Sequence, residues 1–236
     1  MNEQIKIDFE KIIEASDLSK SDIELKRQYL DKFLENGFPS RKLENWKFSD
    51  LDQIIKKNIS ELSFYNDNSL SNKIDKLILI DGLEHNKIIF INGKMEKIDF
   101  NFENQDKIKI DDDFKFENKY ESNNSLLSLN SAFTNKCYKI TVKKNYSLKK
   151  PLVVYHITSS KIKSQNINLK LEFQLEQNSS LRLIDLFNDE AENNFINIFY
   201  NFDLKENAIL KNYKIDKVLN KNIRYSYNNI EQSTNS

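Results

Sequence analysis

A repeat in the second half of the chain limits its fold more than any other feature. Ile167, Leu169, Leu171, Phe173 and Leu175 alternate with Asn168, Lys170, Glu172 and Gln174, the period-two pattern of a strand with one buried face. Adding 29 to each apolar position gives Ile196, Ile198, Tyr200, Phe202 and Leu204; adding 29 again gives Tyr225 and Tyr227, before the pattern fades at Asn229. A second strand repeats at the same interval, in the sets Leu152, Leu181, Leu210; Tyr155, Ile184, Tyr213; and Ile157, Leu186, Ile215. Two strands in a fixed repeat of this size predict flattened coils stacked about 4.8 Å apart, with each apolar side chain lying on its counterpart one coil away. Parallel strands joined by such crossovers coil right-handed. Leu152 and Ile157 are an odd number of positions apart, so both face inward only if a bulge or corner lies between them.

The chain before this repeat reads differently. Ser21 and Glu24 have capping-box spacing ahead of apolar Ile23, Leu30, Phe33 and Leu34, and Gly37 and Pro39 close the run, which predicts a helix over 22–36. Asp50 opens a second short helix over 50–58, and 3–16 forms another. Between them, Phe38 to Ser49 holds the only tryptophan; Trp46 and Phe48 are expected to pin this loop to a core. Ile88-Ile89-Phe90-Ile91 followed by Asn92-Gly93 predicts a hairpin with a type I′ turn. Residues 101–123 are polar and acidic, and read as a loop. The predicted organisation is a helical region over 1–60, a connecting region over 61–135 with a hairpin near 88–97, and coils over 136–236. The fold class is therefore mainly β with an N-terminal α-helical region, built on a right-handed parallel β-helix (solenoid) of about 29 residues per coil.

Composition removes several functional classes. Lys and Arg balance Asp and Glu at 36 each, so no overall field draws the protein to nucleic acid or an anionic membrane. No apolar run approaches the roughly 20 residues that span a bilayer, and the N-terminus has no basic start followed by an apolar block, so it does not read as a secretory signal. A single cysteine, Cys137, forms no internal disulfide and fits a reducing compartment, so a cytoplasmic location is expected. Glycine occurs three times and proline twice. The abundance of asparagine and lysine is read as compositional background of an AT-rich coding sequence, so clusters of either carry no functional weight.

With the Trp46 segment and the solenoid both in view, the chain resembles the SufB/SufD family of iron–sulfur cluster assembly proteins, and SufD most. Gly37-Phe38-Pro39-Ser40-Arg41-Lys42-Leu43-Glu44-Asn45-Trp46-Lys47-Phe48-Ser49-Asp50-Leu51 is similar to the family's G-L-P-x-R-K-x-E-x-W-K-Y-T-x-L signature. Ile89-Phe90-Ile91-Asn92-Gly93-Lys94 is similar to its V-F-V-N-G-R hairpin. Leu129-Asn130-Ser131-Ala132-Phe133, Ile140-Thr141-Val142 and Lys150-Pro151-Leu152 match the L-N-x-A-F, I-x-V and P-I/L run that leads into its β-helix. The resemblance implies a scaffold subunit, without catalysis of its own, that works with a SufB-like protein and a SufC-like ATPase. An iron–sulfur cluster would be held only at the level of that complex. Cys137 stands where the family usually has glycine. Family members continue beyond the position of Ser236 with further coils, which contact SufB and include residues implicated in cluster assembly. A C-terminal helical region that docks the ATPase follows. No family site residue is thus carried over, and the chain is expected to be a fragment or truncated reading frame.

The side chains with chemical potential are few. One Cys and two His fall short of the three or four ligands of a typical zinc or cluster site, so no metal residues are assigned. Cys137 reads as a partly buried small side chain at a strand start, with a cluster shared across subunits as the alternative. His156, Asp185 and Lys214 follow one another at the repeat interval of 29 and are expected to stack as an outward charge ladder. A catalytic His–Asp pair is the sharper alternative, but no nucleophile or second acid accompanies them. Arg41, Lys42, Glu44 and Lys47 read as solvated residues around Trp46, with a partner-binding patch as the alternative, and His85 as a lone histidine. A β-helix enzyme acting on polysaccharides needs clustered carboxylates; Asp185, Asp203 and Asp216 sit at different offsets in the repeat. No catalytic residue is assigned. A SufB-like scaffold is a further alternative, disfavoured by the lack of a cysteine cluster.

Overall fold

A computed structural model describes residues 2–59, 61–64, 79–112, 124–134, 136–216 and 222–236. Its N-terminal layer holds α1 (Asn2–Glu14), α2 (Lys20–Asn36) and α3 (Leu51–Asn58); α4 (Ser125–Phe133) joins them from later in the chain. Ile5, Phe9 and Ile13 recur at helical spacing on α1 and pack with Leu30, Phe33, Leu51, Ile55, Leu126, Leu129 and Phe133. The cap of α2 differs from the expected one. Ser19, not Ser21, accepts from the Asp22 N–H, so the helix begins two residues earlier than predicted. Gly37 closes it at φ 66° with its N–H on the Phe33 carbonyl, the left-handed position where glycine is least strained. Asp50 caps α3 as expected, accepting from Gln53 N–H.

The rest is a β-solenoid of about three turns, closed by two facing five-stranded sheets. Its strands are β1 (Asn86–Ile91), β2 (Lys94–Asp99), β3 (Ile108–Asp111), β4 (Cys137–Val142), β5 (Leu152–Thr158), β6 (Asn166–Leu175), β7 (Ser180–Asp189), β8 (Phe195–Leu204), β9 (Ile209–Asp216) and β10 (Ile223–Gln232). One sheet runs β2-β1-β5-β7-β9 and the other β10-β8-β6-β4-β3. The hairpin therefore belongs to the solenoid: β1 pairs parallel with β5, and Asn92 and Gly93, both at positive φ, make its turn. A Cβ on Gly93 would lie 2.9 Å from the Ile167 side chain. The stretch expected as an acidic loop contains β3, antiparallel to β4; its remainder, 113–123, lies outside the described residues.

The step of 29 holds from β6 to β8 and from β7 to β9. Elsewhere it shifts, and each shift is taken up in a corner. Cys137 pairs with Lys170, a step of 33; Leu152 with Leu183, a step of 31; and Phe195 with Ile223, a step of 28. Two extra residues lie between β4 and β5, two between β5 and β6, and one fewer between β9 and β10. Three expectations change as a result. Leu152 stacks on Leu183 rather than Leu181. Ile157 points to the outer face, where it packs with Ile89, Ile91, Val153 and Tyr155, so no bulge is needed. Tyr225 and Tyr227 lie beside Asn197 and Phe199, and Arg224, Ser226 and Asn228 take the inward positions over Ile196, Ile198 and Tyr200. A one-residue slip exchanges the faces of a strand.

Asparagine, discounted in the sequence, builds the corners. Asn145, Asn178, Asn207 and Asn235 all adopt φ between 54° and 58°, a left-handed conformation that asparagine tolerates better than other non-glycine residues. Asn178 and Asn207 each donate a side-chain hydrogen bond to the preceding corner asparagine, at 2.9 and 3.0 Å. A chain with three glycines thus places asparagine where the turn requires positive φ. Near the first coil, Glu103 accepts from Asn86 Nδ2, Tyr146 Oη and the N–H groups of Lys149 and Lys150.

Candidate functional site

His156 and Asp185 are brought together inside the solenoid, and Lys214 lies over them as an exposed residue of the last described coil. β5 is buried along its whole length, with the opposite sheet on its inner face and Leu79, Ile80 and His85 on its outer one. Alternation there carries no information about which face is which, and the expected outward place of His156 is corrected to an inward one. His156 is 6% exposed and Asp185 is 0% exposed. Asp185 and Lys214 are register partners, whereas His156 pairs with Phe187.

A residue that the repeat presents as plain core completes the group. Tyr200 Oη donates to Asp185 Oδ1 at 2.6 Å and lies 2.8 Å from His156 Nε2, itself 3.1 Å from the same carboxylate oxygen. Burial, reinforced by the Asp185 charge and hydrogen bond, pushes the Tyr200 phenol well above its usual range, so it stays protonated and can only donate to the carboxylate. The His156 ring is stacked between Phe90 and Phe187, at 5.8 and 4.6 Å. The last described coil covers this column with cations. Arg224 lies 4.0 Å over Phe187 and is held by Asp189 and Asp216. Lys214 lies 4.9 Å over Tyr200 and donates to Ser226 Oγ and Asn228 Oδ1; burial lowers its pKa.

The cavity beside His156 is about 20 Å³, lined by Phe90, Thr158, Asp189 and Ile198 among others, room for about one water molecule. The hydrogen bonds of the cluster tie β5, β7 and β8 to one another within the solenoid core.

Cys137 opens β4 half-buried, beside Lys170 in register. Lys170 donates to Ser131 Oγ at 2.8 Å, and Lys26 from α2 donates to the Ala132 and Thr134 carbonyls at the end of α4. Burial lowers Lys170 to about 8; burial and the Lys170 charge lower Lys26 to about 8. Cations at a helix C-terminus complement its dipole; Lys170 fastens α4 to the sheet and Lys26 fastens it to α2. Lys26 and Lys170 place positive charge near the Cys137 thiol. Among the described residues no group of three or more His, Cys, Asp or Glu is gathered as metal ligands, and no helix is long and apolar enough to cross a membrane.

The remaining candidates separate. Asp185 and Asp216 lie on inward positions of β7 and β9, and Asp203 pairs with Gln174 on the outer face of the other sheet. They form no carboxylate pair. His85 is buried, bonded to Leu83 O and to Tyr155 Oη at 2.8 Å, and it straps the chain across the outer face of β5. Trp46 packs half-buried against Tyr225, with ring centres 5.9 Å apart. Phe48, expected in the core, is 88% exposed; anchoring Trp46 suffices to hold the loop and leaves its neighbour outside. Arg41, Lys42, Glu44 and Lys47 are exposed, with Glu44 and Lys47 paired at 2.9 Å.

No family model matches the chain. No curated protein matches it either.

Proposed function

We propose that this protein is a SufD-like scaffold subunit of a SUF-type iron–sulfur cluster assembly complex, cytoplasmic and without catalysis of its own. It would work beside a SufB-like solenoid and a SufC-like ATPase, with the cluster as cargo of the complex. The ordered resemblance of residues 37–51, 89–94 and 129–152 to that family supports the reading. So does the arrangement of a helical layer followed by a solenoid of about three turns.

The observation that carries the scaffold role is the solenoid itself, whose two facing five-stranded sheets give a long rigid face for pairing with another subunit. Such a surface needs no catalytic residue on this chain. Native mass spectrometry after gentle purification from its own cells through an N-terminal tag tests this. A complex containing an ATPase and a related solenoid is expected; a lone monomer at physiological concentration refutes the reading.

A further inference from the structure

The loop between α2 and α3 holds Phe48 in water and does so rigidly. Phe48 is the most exposed large apolar side chain of the described residues at 88%, and Leu43 on the same loop is 51% exposed. The backbone under them is closed by hydrogen bonds: Leu43 N–H to Ser40 O, Trp46 N–H to Leu43 O and Ser49 N–H to Trp46 O. The N–H groups of Leu51 and Asp52 both donate to Pro39 O. Trp46 anchors the turn from below against Tyr225. A loop this well fastened fixes the Phe48 backbone at a place from which its side chain projects into water.

Its electrostatic surroundings favour one kind of occupant. Arg41 and Lys42 are exposed and form no ion pair among the described residues, and the Lys47 ammonium sits 5.3 Å over the Phe48 ring. We propose that residues 40–49 are a docking surface for an acidic protein segment, with Phe48 entering an apolar pocket of that partner and Arg41 and Lys42 meeting its carboxylates. An exposed aromatic on the same loop as an exposed arginine is a composition found at interface anchors. Glu44 and Asp52 on this surface are paired with Lys47 and Lys56, which leaves Arg41 and Lys42 for a partner; an anionic membrane fits less well because a single aromatic gives little insertion. The proposal goes beyond the scaffold reading and stands without it, since any acidic partner satisfies it.

The test places photoreactive benzoyl-phenylalanine at position 48 of the full chain in its own cells, with Glu206→benzoyl-phenylalanine as an exposed control. The expected result is a position-48 cross-link to a peptide of net negative charge. Its yield should fall about tenfold in the Arg41→Glu/Lys42→Glu variant, whose thermal melt is unchanged. A position-48 yield no higher than the control overturns the proposal. So does a cross-link to lipid, to a second copy of this chain or to a neutral or basic peptide, or a yield indifferent to the charge reversal. Phe48→Ala separates docking from folding: an unaltered melt is expected, and a large drop would make Phe48 a structural residue and end the argument.

Discussion

Replacing Lys170 by methionine should stabilise the protein at neutral pH and flatten its alkaline stability profile. The side chain is 4% exposed between the sheet and α4, where its ammonium donates to Ser131 Oγ. Burial lowers its pKa from 10.5 to about 8, a difference equivalent to about 3 kcal/mol. Below pH 8 the lysine is charged in both folded and unfolded chains, so the native state carries that whole penalty. Between pH 8 and 10.5 the folded chain has released the proton and the unfolded chain has kept it, so stability climbs with pH. Lys26, also lowered to about 8, adds to the same climb. Near pH 10 the trend reverses, because burial raises the Tyr138, Tyr155 and Tyr200 phenols and the unfolded tyrosines ionise first. Lys170→Met removes the penalty and forgoes a hydrogen bond of about 1 kcal/mol, a net gain of about 2 kcal/mol at pH 7 that disappears by pH 10. Removing the Lys170 charge also lets Lys26 move back up, so more than half of the climb should go. Urea unfolding followed by circular dichroism from pH 7 to 10 measures this. A wild-type profile that is flat or falling over pH 8–10 would refute the reasoning, as would a variant that is no more stable at pH 7.

Three other outcomes are expected from thermal or urea unfolding. Asn178→Ala should cost about 1–2 kcal/mol, from the left-handed backbone and the lost ladder contacts; Asn178→Gly should cost less, and equal costs would assign the effect to the ladder alone. Gly93→Ala should destabilise by about 1–3 kcal/mol, because it combines φ 81° with a 2.9 Å approach to Ile167. Burial alone would raise the Glu103 pKa, but hydrogen bonds from Asn86, Tyr146, Lys150 and Lys149 hold it below the usual carboxylate range. Its contribution is therefore full above the unfolded carboxylate's pKa near 4.5 and is lost as pH falls through the lower folded value. Glu103→Gln, which turns an acceptor into a donor facing donors, should cost about 2 kcal/mol or more at pH 7 and much less at pH 3.

The solenoid is legible because β6 and β8, though buried on both faces, alternate apolar inward with mostly polar outward residues and are related by an unbroken step of 29. Period two and a fixed interval are visible whenever no residue is gained or lost in the corner. Where corners lengthen, as before β5, or shorten, as before β10, the same arithmetic puts Leu181 under Leu152 and turns Tyr225 inward. The His156 group escapes for a different reason. A strand such as β5 that is apolar on both faces has no alternation to read, and Tyr200, one aromatic among several in its strand, differs from Phe202 only by an oxygen whose partners come from two other strands. The corner asparagines are hidden by their own abundance; the signal is their recurrence between strands in a chain nearly without glycine. Phe48 is misplaced because apolarity alone does not tell an anchor from the residue it presents.

The inner face of the stack changes character along its length. β1, β5 and β6 meet through Ile88, Phe90, Leu152, Val154, Leu169 and Leu171, whereas β9 and β10 turn Asn212, Lys214, Asp216, Arg224, Ser226 and Asn228 toward one another. In a stack where each coil touches only its neighbours, local stability follows local contacts. Amide hydrogen exchange should therefore be slowest around β5 and β6 and quicken coil by coil toward β9 and β10. Of the described coils, β9 and β10 should open first, and added salt, which screens the ion pairs that Arg224 makes with Asp189 and Asp216, should widen the difference.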